Sequence, residues 1–197
     1  ESRLAHKDPQ VRICAFRALR HENHRVLEHA GKLAGDSSPL VRREVALALR
    51  YVPFEKSRDL LLKIADGYDG KDRYYVEAFG IGCTDKEEKV YAALRKKRSG
   101  KKFDPKYAGL VWRLHPVSSV NELKDWAMDK DRDDAFRRSM LFAISLIEAP
   151  QAATAMVEIA KFAGGETGKL ASVFIEKRDQ GIWNPYKAKD QLSGKPA

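Results

Sequence analysis

Apolar residues recur along this chain at the spacing of one helical face. Val11, Cys14, Ala15, Ala18 and Leu19 fall at i, i+3, i+4, i+7 and i+8, and Val41, Val45, Ala48, Leu49 and Val52 make a second stripe. Between them, Val26, Ala30, Leu33 and Ala34 form a partner stripe closed by Gly35, and Leu61, Ile64 and Ala65 form another closed by Gly67. A stripe of this period buries one side of an amphipathic helix. Past residue 70 the pattern loosens but stays helical. It predicts helices near 72–81, 85–97, 106–114, 118–128, 133–148, 151–163 and 167–177, the longest stripe being Ala135, Phe136, Met140, Ala143, Ile144 and Ile147. Gly80 and Gly82 read as the end of their helix, and Pro116 and Pro150 as turns. No run alternates convincingly at period two, so essentially no sheet is expected.

The helices repeat. Asp8-Pro9-Gln10-Val11-Arg12 opens one apolar run and Ser38-Pro39-Leu40-Val41-Arg42 opens another, with Pro, Val and Arg all at the same offset. Ala18, Leu19 and Arg20 match Ala48, Leu49 and Arg50 at that offset too, and a looser third copy aligns Asp72-Arg73 with Val41-Arg42. Each opening is a helix start. An Asp or Ser side chain accepts from orphan amides, and proline is tolerated in the first turn, where its missing donor costs nothing. One helix pair cannot bury both of its stripes, but stacked pairs can. The expected fold is all-α: a right-handed α-solenoid of about five to six helix pairs over 1–177. A polar tail or capping segment follows over 178–197, with Trp183 and Tyr186 folding back over the last stripe.

The Asp-Pro-x-Val-Arg opening, recurring from Asp8 to Ser38 and again near Asp72, resembles HEAT repeats, particularly the short bacterial kind. A second resemblance rests on Tyr68-Asp69-Gly70-Lys71-Asp72-Arg73-Tyr74-Tyr75-Val76-Glu77-Ala78-Phe79-Gly80-Ile81-Gly82 and on Leu110-Val111-Trp112-Arg113-Leu114-His115-Pro116. Both segments look like parts of large secreted proteins of planctomycete-type bacteria. Those proteins join a sugar-dehydrogenase-like β-propeller, a HEAT-repeat region and a cytochrome c domain with a CxxCH haem motif. This chain has no CxxCH and no propeller strands. The resemblance therefore implies the helical middle of such a protein and an extracytoplasmic or secreted location. It implies other domains of the same polypeptide, or another protein, as partners. It carries no catalytic or haem-binding residue over, so no cofactor and no enzymatic activity are expected of this chain. The first residue is Glu1 and no charged-then-apolar leader follows, which agrees with a piece of a longer protein.

Charge changes the picture more than composition does. With 37 Lys and Arg against 28 Asp and Glu, the 197 residues carry a net charge of +9. No run approaches the ~18 apolar residues of a spanning helix, so membrane insertion is not expected. Arg12, Arg42 and Arg73 occupy the same place in successive repeats, and Lys96, Lys97, Arg98, Lys101 and Lys102 cluster around one loop. With Arg43 they form the candidate basic interaction surface. The recurring arginines also fit a second role, a ladder that bonds turn carbonyls or carboxylates such as Asp8, Asp36 or Asp69. A basic nucleic-acid binder or DNA-repair protein is the alternative class, with a free-standing protein adaptor as a third. Nucleic acid is not favoured, because Asp and Glu are interspersed nearly everywhere.

The remaining chemistry is thin. Cys14 and Cys83 each sit alone in an apolar helical pattern and read as small buried thiols; a bridge between them would need Cα atoms within about 7 Å. His21, His24 and His29 read as turn histidines rather than a zinc site, which needs three or four ligands. Gly164-Gly165-Glu166-Thr167-Gly168-Lys169-Leu170 mimics a phosphate loop but ends in Leu and follows no strand. Asp129 to Asp133 mimics a calcium loop, yet its sixth position is Asp134 and its twelfth Met140.

Overall fold

The computed structural model describes residues 2–98 and 102–194, and among these every regular element is helical, with no strand. The chain divides into two compact units, 1–114 and 115–197, so the boundary falls inside the stretch read above as one array.

Unit one opens with a 3-10 turn, Ser2–Ala5. It continues through α1 (Pro9–His21), α2 (Val26–Leu33), α3 (Pro39–Ala48), α4 (Phe54–Asp66), α5 (Arg73–Gly82), α6 (Glu87–Arg98) and α7 (Pro105–Leu114). The starts form as their residues dictate. The Asp8 carboxylate accepts from the Gln10 amide at 2.8 Å, and Pro9 takes the first helical position. Asp72 caps α5 in the same way through the Tyr75 amide. The Ser38 hydroxyl makes no such bond. The carboxylate of Asp36 instead accepts from the Ser38 backbone at 2.8 Å.

Each odd-numbered helix packs on the next odd one: α1 on α3, α3 on α5, α5 on α7; α4 likewise packs on α6. Phe16, Val45, Leu49, Leu61, Ile64 and Phe79 are fully buried in the resulting core. The α3–α5 approach is close enough to require a missing side chain. A Cβ on Gly82 would fall inside the van der Waals envelope of the Ala46 carbonyl oxygen. α5 ends at Gly82, with Gly80 in its last turn and Cys83 as its cap, as the sequence predicts.

The first apolar stripe lies on the other side of its helix from the core. α1 turns Arg12, Ile13 and Phe16 inward, while Cys14 and Ala18 are exposed and Val11, Ala15 and Leu19 only half-buried. The equivalent face of α3, with Val41, Val45 and Leu49, is buried. That face also carries Glu44, whose carboxylate meets Arg17 and Arg20 of α1. α1 thus covers α3, and on its other side the short Ser2–Ala5 turn packs against α1 without burying Cys14 or Ala18. Cys14 is accordingly an exposed free thiol, a correction to its reading as buried. Cys83 is buried and free, and burial pushes its thiol pKa up.

Unit two contains a 3-10 turn, Val117–Ser119, then α8 (Val120–Met128), α9 (Asp134–Ser145), α10 (Pro150–Phe162), α11 (Gly165–Asp179) and α12 (Ala188–Ser193). Its helices also pack two apart: α8 on α10, α9 on α11, α10 on α12. Pro150 is the first residue of α10 rather than a turn position, as the missing amide of proline allows. Met140, Ala143, Ile144 and Ile147 are buried as the stripe predicts, although Ala135 is exposed. Trp183 is fully buried and its indole N–H donates to the Ile147 carbonyl at 2.8 Å; Tyr186 is only half-buried.

Two measurements check this packing. Gly82→Ala is expected to cost about 1–3 kcal/mol in urea unfolding by overpacking the α3–α5 contact. Gly31→Ala, where an added Cβ meets nothing within 4 Å, is expected to be neutral or stabilising by up to ~1 kcal/mol. A maleimide is expected to label Cys14 in the native protein and Cys83 only after unfolding. Equal labelling of both would contradict the burial described.

Candidate interaction surface

The arginines at the repeat openings are consumed by the fold. Arg12 stands fourth in α1, and its Nη1 donates to the carbonyls of His6 (2.6 Å) and Lys7 (3.1 Å). Arg42 stands fourth in α3, and its Nη1 donates to the carbonyls of Asp36 (2.5 Å) and Ser37 (3.1 Å), the counterparts of His6 and Lys7 one repeat on. The remaining nitrogens reach into the following repeat. Arg12 grips the Asp36 carboxylate with Nε at 2.8 Å and Nη2 at 2.6 Å, in the forked geometry that suits guanidinium and carboxylate. Arg42 donates from Nη2 to the Gly67 carbonyl at 2.8 Å and from Nε to the Tyr75 hydroxyl at 3.0 Å. The same hydroxyl donates to the Ile64 carbonyl at 2.6 Å. A Cβ on Gly67 would stand 2.5 Å from Arg42 Nε and 3.0 Å from the Tyr75 oxygen, so the clamp requires glycine there.

Unit two contains a clamp that the repeat alignment missed. Arg137 also stands fourth in its helix, and its Nε donates at 3.0 Å to the Ala127 carbonyl, near the end of α8. Its side chain is only 12% exposed. The available signal was spacing from the cap: Asp8 to Arg12, Ser38 to Arg42 and Asp133 to Arg137 are the same distance apart in sequence. Arg73 fails the same test. It is the first residue of α5, so its sequence match to Arg42 is out of helical register, and Val76 stands fourth instead.

The other candidates divide between bound and open positions. Lys97 pairs with Asp66. Arg98 donates to Asp104 at 2.7 Å and to the Lys102 carbonyl at 2.6 Å, and lies over the Tyr107 ring. Lys96 and Lys102 are exposed, and Lys101 lies outside the described residues. Arg73 is exposed, pairs with Glu77 at 3.3 Å and lies over the Trp112 ring. Arg43 lies over Tyr74, with its guanidinium carbon 5.3 Å from the ring centroid.

The last two pairs belong to a surface on the odd-numbered helices that the basic-loop reading did not single out. Leu40, Arg43 and Leu47 follow one another along an outward face of α3, and Arg50 lies in the turn after it. Arg50 lies over Tyr51, which is 87% exposed, and Tyr74 is 72% exposed. Guanidinium groups above ring faces hold these aromatics in place at little cost. At the lower end of this face, a groove of about 770 Å3 opens between the ends of α1 and α3 and the starts of α2 and α4. The end of α3 is held from within by Lys86, whose ammonium donates to the carbonyls of Leu49 (3.0 Å), Arg50 (2.8 Å) and Val52 (3.0 Å). Burial lowers the pKa of that amine.

His21 and His24 lie at the end of α1 and in the turn after it, but His29 is fully buried in α2 and stacks on His24. No group of three His, Cys, Asp or Glu side chains among the described residues is arranged to hold a metal. No described helix is long and apolar enough to cross a membrane. No protein-family model matches the chain, and neither does any curated protein sequence.

The Arg12–Asp36 clamp makes two predictions. Arg12→Ala leaves a nearly buried carboxylate without its partner and is expected to cost about 3 kcal/mol in urea unfolding. Arg43→Ala, at an exposed stack, should cost less than about 1 kcal/mol. Burial pushes the Asp36 carboxyl up, but hydrogen bonds from Arg12 and the Ser38 amide, with the charges of Arg12 and Arg42, outweigh it and hold its pKa below the ordinary value. The carboxyl therefore contributes stability fully above its unfolded pKa of about 3.9. That contribution is lost as pH falls through the lower folded value. Asp36→Asn should flatten this acid limb of the stability curve. An unchanged slope would contradict the assignment.

Proposed function

We propose that this chain is a non-catalytic interaction module: HEAT-like helix pairs, stacked as a right-handed solenoid, that position other domains of a larger secreted redox-type protein or another protein bound to it. The observation that carries the reading is the outward face of α3 and α5. Its arginines stack on Tyr51 and Tyr74, which stay exposed, while the guanidinium groups of Arg12 and Arg42 are spent on turns. Exposed Tyr and Arg side chains on a packed helical scaffold are the residue types that dominate protein interfaces. The matching clamps of Arg12 and Arg42 in successive repeats, and the packing of helices two apart, support the repeat architecture. The resemblance of Tyr68 to Gly82 and of Leu110 to Pro116 supports the secreted redox-type setting. A nucleic-acid function is the less favoured reading, since Glu44, Glu55, Asp66 and Glu77 already pair with cations across unit one.

Intact mass and peptide mapping of the native polypeptide test the setting. The expected result is a longer chain that contains a CxxCH peptide and propeller strands, with chemical cross-links running from the α3–α5 face to residues outside this segment. A native chain ending near residues 1 and 197, together with duplex DNA binding that weakens steeply with salt, would overturn the proposal.

A further inference from the structure

Building on the reading of this chain as a binding module, we infer that the groove below Tyr51 is a docking site for an acidic peptide segment. The segment it fits has an apolar side chain flanked by carboxylates. The floor of the groove is apolar, built by Val26, Leu27, Val52 and Ile81, with Leu47 exposed at its edge. Its volume of about 770 Å3 lies in the range of ligand-binding clefts. The rim is cationic, and no carboxylate lines it.

The charge on that rim is uneven in an informative way. Arg20 is partly neutralised by Glu44 at 3.1 Å. Arg50 and Lys56 are both exposed, and neither has an ion pair among the described residues. The nearest acidic neighbour in sequence, Glu55, is held by Lys89 at 2.9 Å. The backbone adds to the same sign. Val26 and Leu27 belong to the first turn of α2, and Pro53 and Lys56 to the start of α4; neither helix has a side-chain cap. Their first-turn amides therefore contribute partial positive charge. The C-terminal end of α3 would ordinarily present negative carbonyls, but the Lys86 ammonium binds those of Leu49, Arg50 and Val52. A carboxylate at the rim meets attraction from each of these sources, and a cation meets repulsion.

The apolar floor selects among anionic partners. A phosphate backbone laid across the rim would leave Val26, Leu27, Val52 and Ile81 against water. A peptide with Leu, Ile, Phe or Met between Asp and Glu residues covers the floor and satisfies the rim together.

The test uses a random peptide display library against the full chain, the Arg50→Glu/Lys56→Glu variant and Lys177→Glu as a charge control outside the groove lining. Both rim positions are exposed and without ion pairs, so the double variant should keep its helical circular dichroism. The wild-type chain is expected to enrich peptides with an apolar residue flanked by at least two carboxylates. A synthesised member should bind the double variant about tenfold more weakly or worse and bind the Lys177→Glu variant as it binds the wild type. Enriched peptides that are neutral or basic, or acidic peptides that bind the double variant equally well, would overturn the groove assignment and leave the binding-module reading standing. No enrichment of any peptide would overturn both. Salt-steep binding of a labelled DNA duplex, lost in the same variant, would assign the rim to nucleic acid instead.

Discussion

A guanidinium at the fourth position of a helix, bonded to the carbonyls of the turn before it and to the repeat after it, is the interaction on which unit one depends. Arg12 and Arg42 make this bond with the same nitrogen to equivalent carbonyls of successive repeats. Backbone carbonyls in a turn have no helical partner, and leaving them buried and unmet is costly. A planar group with five donors meets several at once and joins two repeats. The clamp dictates its surroundings: Asp36 as a bidentate acceptor, glycine at 67, and Tyr75 in a place where its hydroxyl accepts from α3 and donates to α4 of the preceding repeat. Arg137 repeats the principle in unit two with a different acceptor, the end of α8.

This constraint also separates structural from available charge. Many of the cations that make the sequence look like a binding surface are held at the turns or paired across helices, Arg12, Arg42, Lys97 and Arg98 among them. Among the open groups are those on α3, α5 and the turn after α3, where Arg43 and Arg50 stack on Tyr74 and Tyr51. The net charge of +9 therefore says little about where a ligand would sit. The geometry of a few groups says more, above all Arg50 and Lys56 over an apolar floor.

Helical periodicity made the element order legible. The predicted helices from 72 to 177 recur within a few residues of their observed ends, because caps such as Asp72 and Asp133 and the first-turn prolines are local signals. Which face each helix buries was less legible. The Val11–Leu19 stripe has the right period but lies on a side of α1 that the short Ser2–Ala5 turn borders without covering, and periodicity cannot report how much of a face a neighbour covers. The third arginine was misplaced because sequence offset was matched without the helix start: Arg73 is first in α5, whereas Arg12, Arg42 and Arg137 are fourth in their helices. The groove was invisible in sequence, since it gathers residues from 20 to 81 that share no motif.

The clamp can be tested where it acts, by hydrogen exchange of backbone amides in the Arg42→Ala variant. Arg42 bonds carbonyls on two separate turns, Asp36–Ser37 and Gly67. The account predicts faster exchange in peptides covering 34–38 and 64–70 together, with residues 115–194 unchanged. Faster exchange confined to the first turn of α3, or an unchanged pattern throughout, would contradict it.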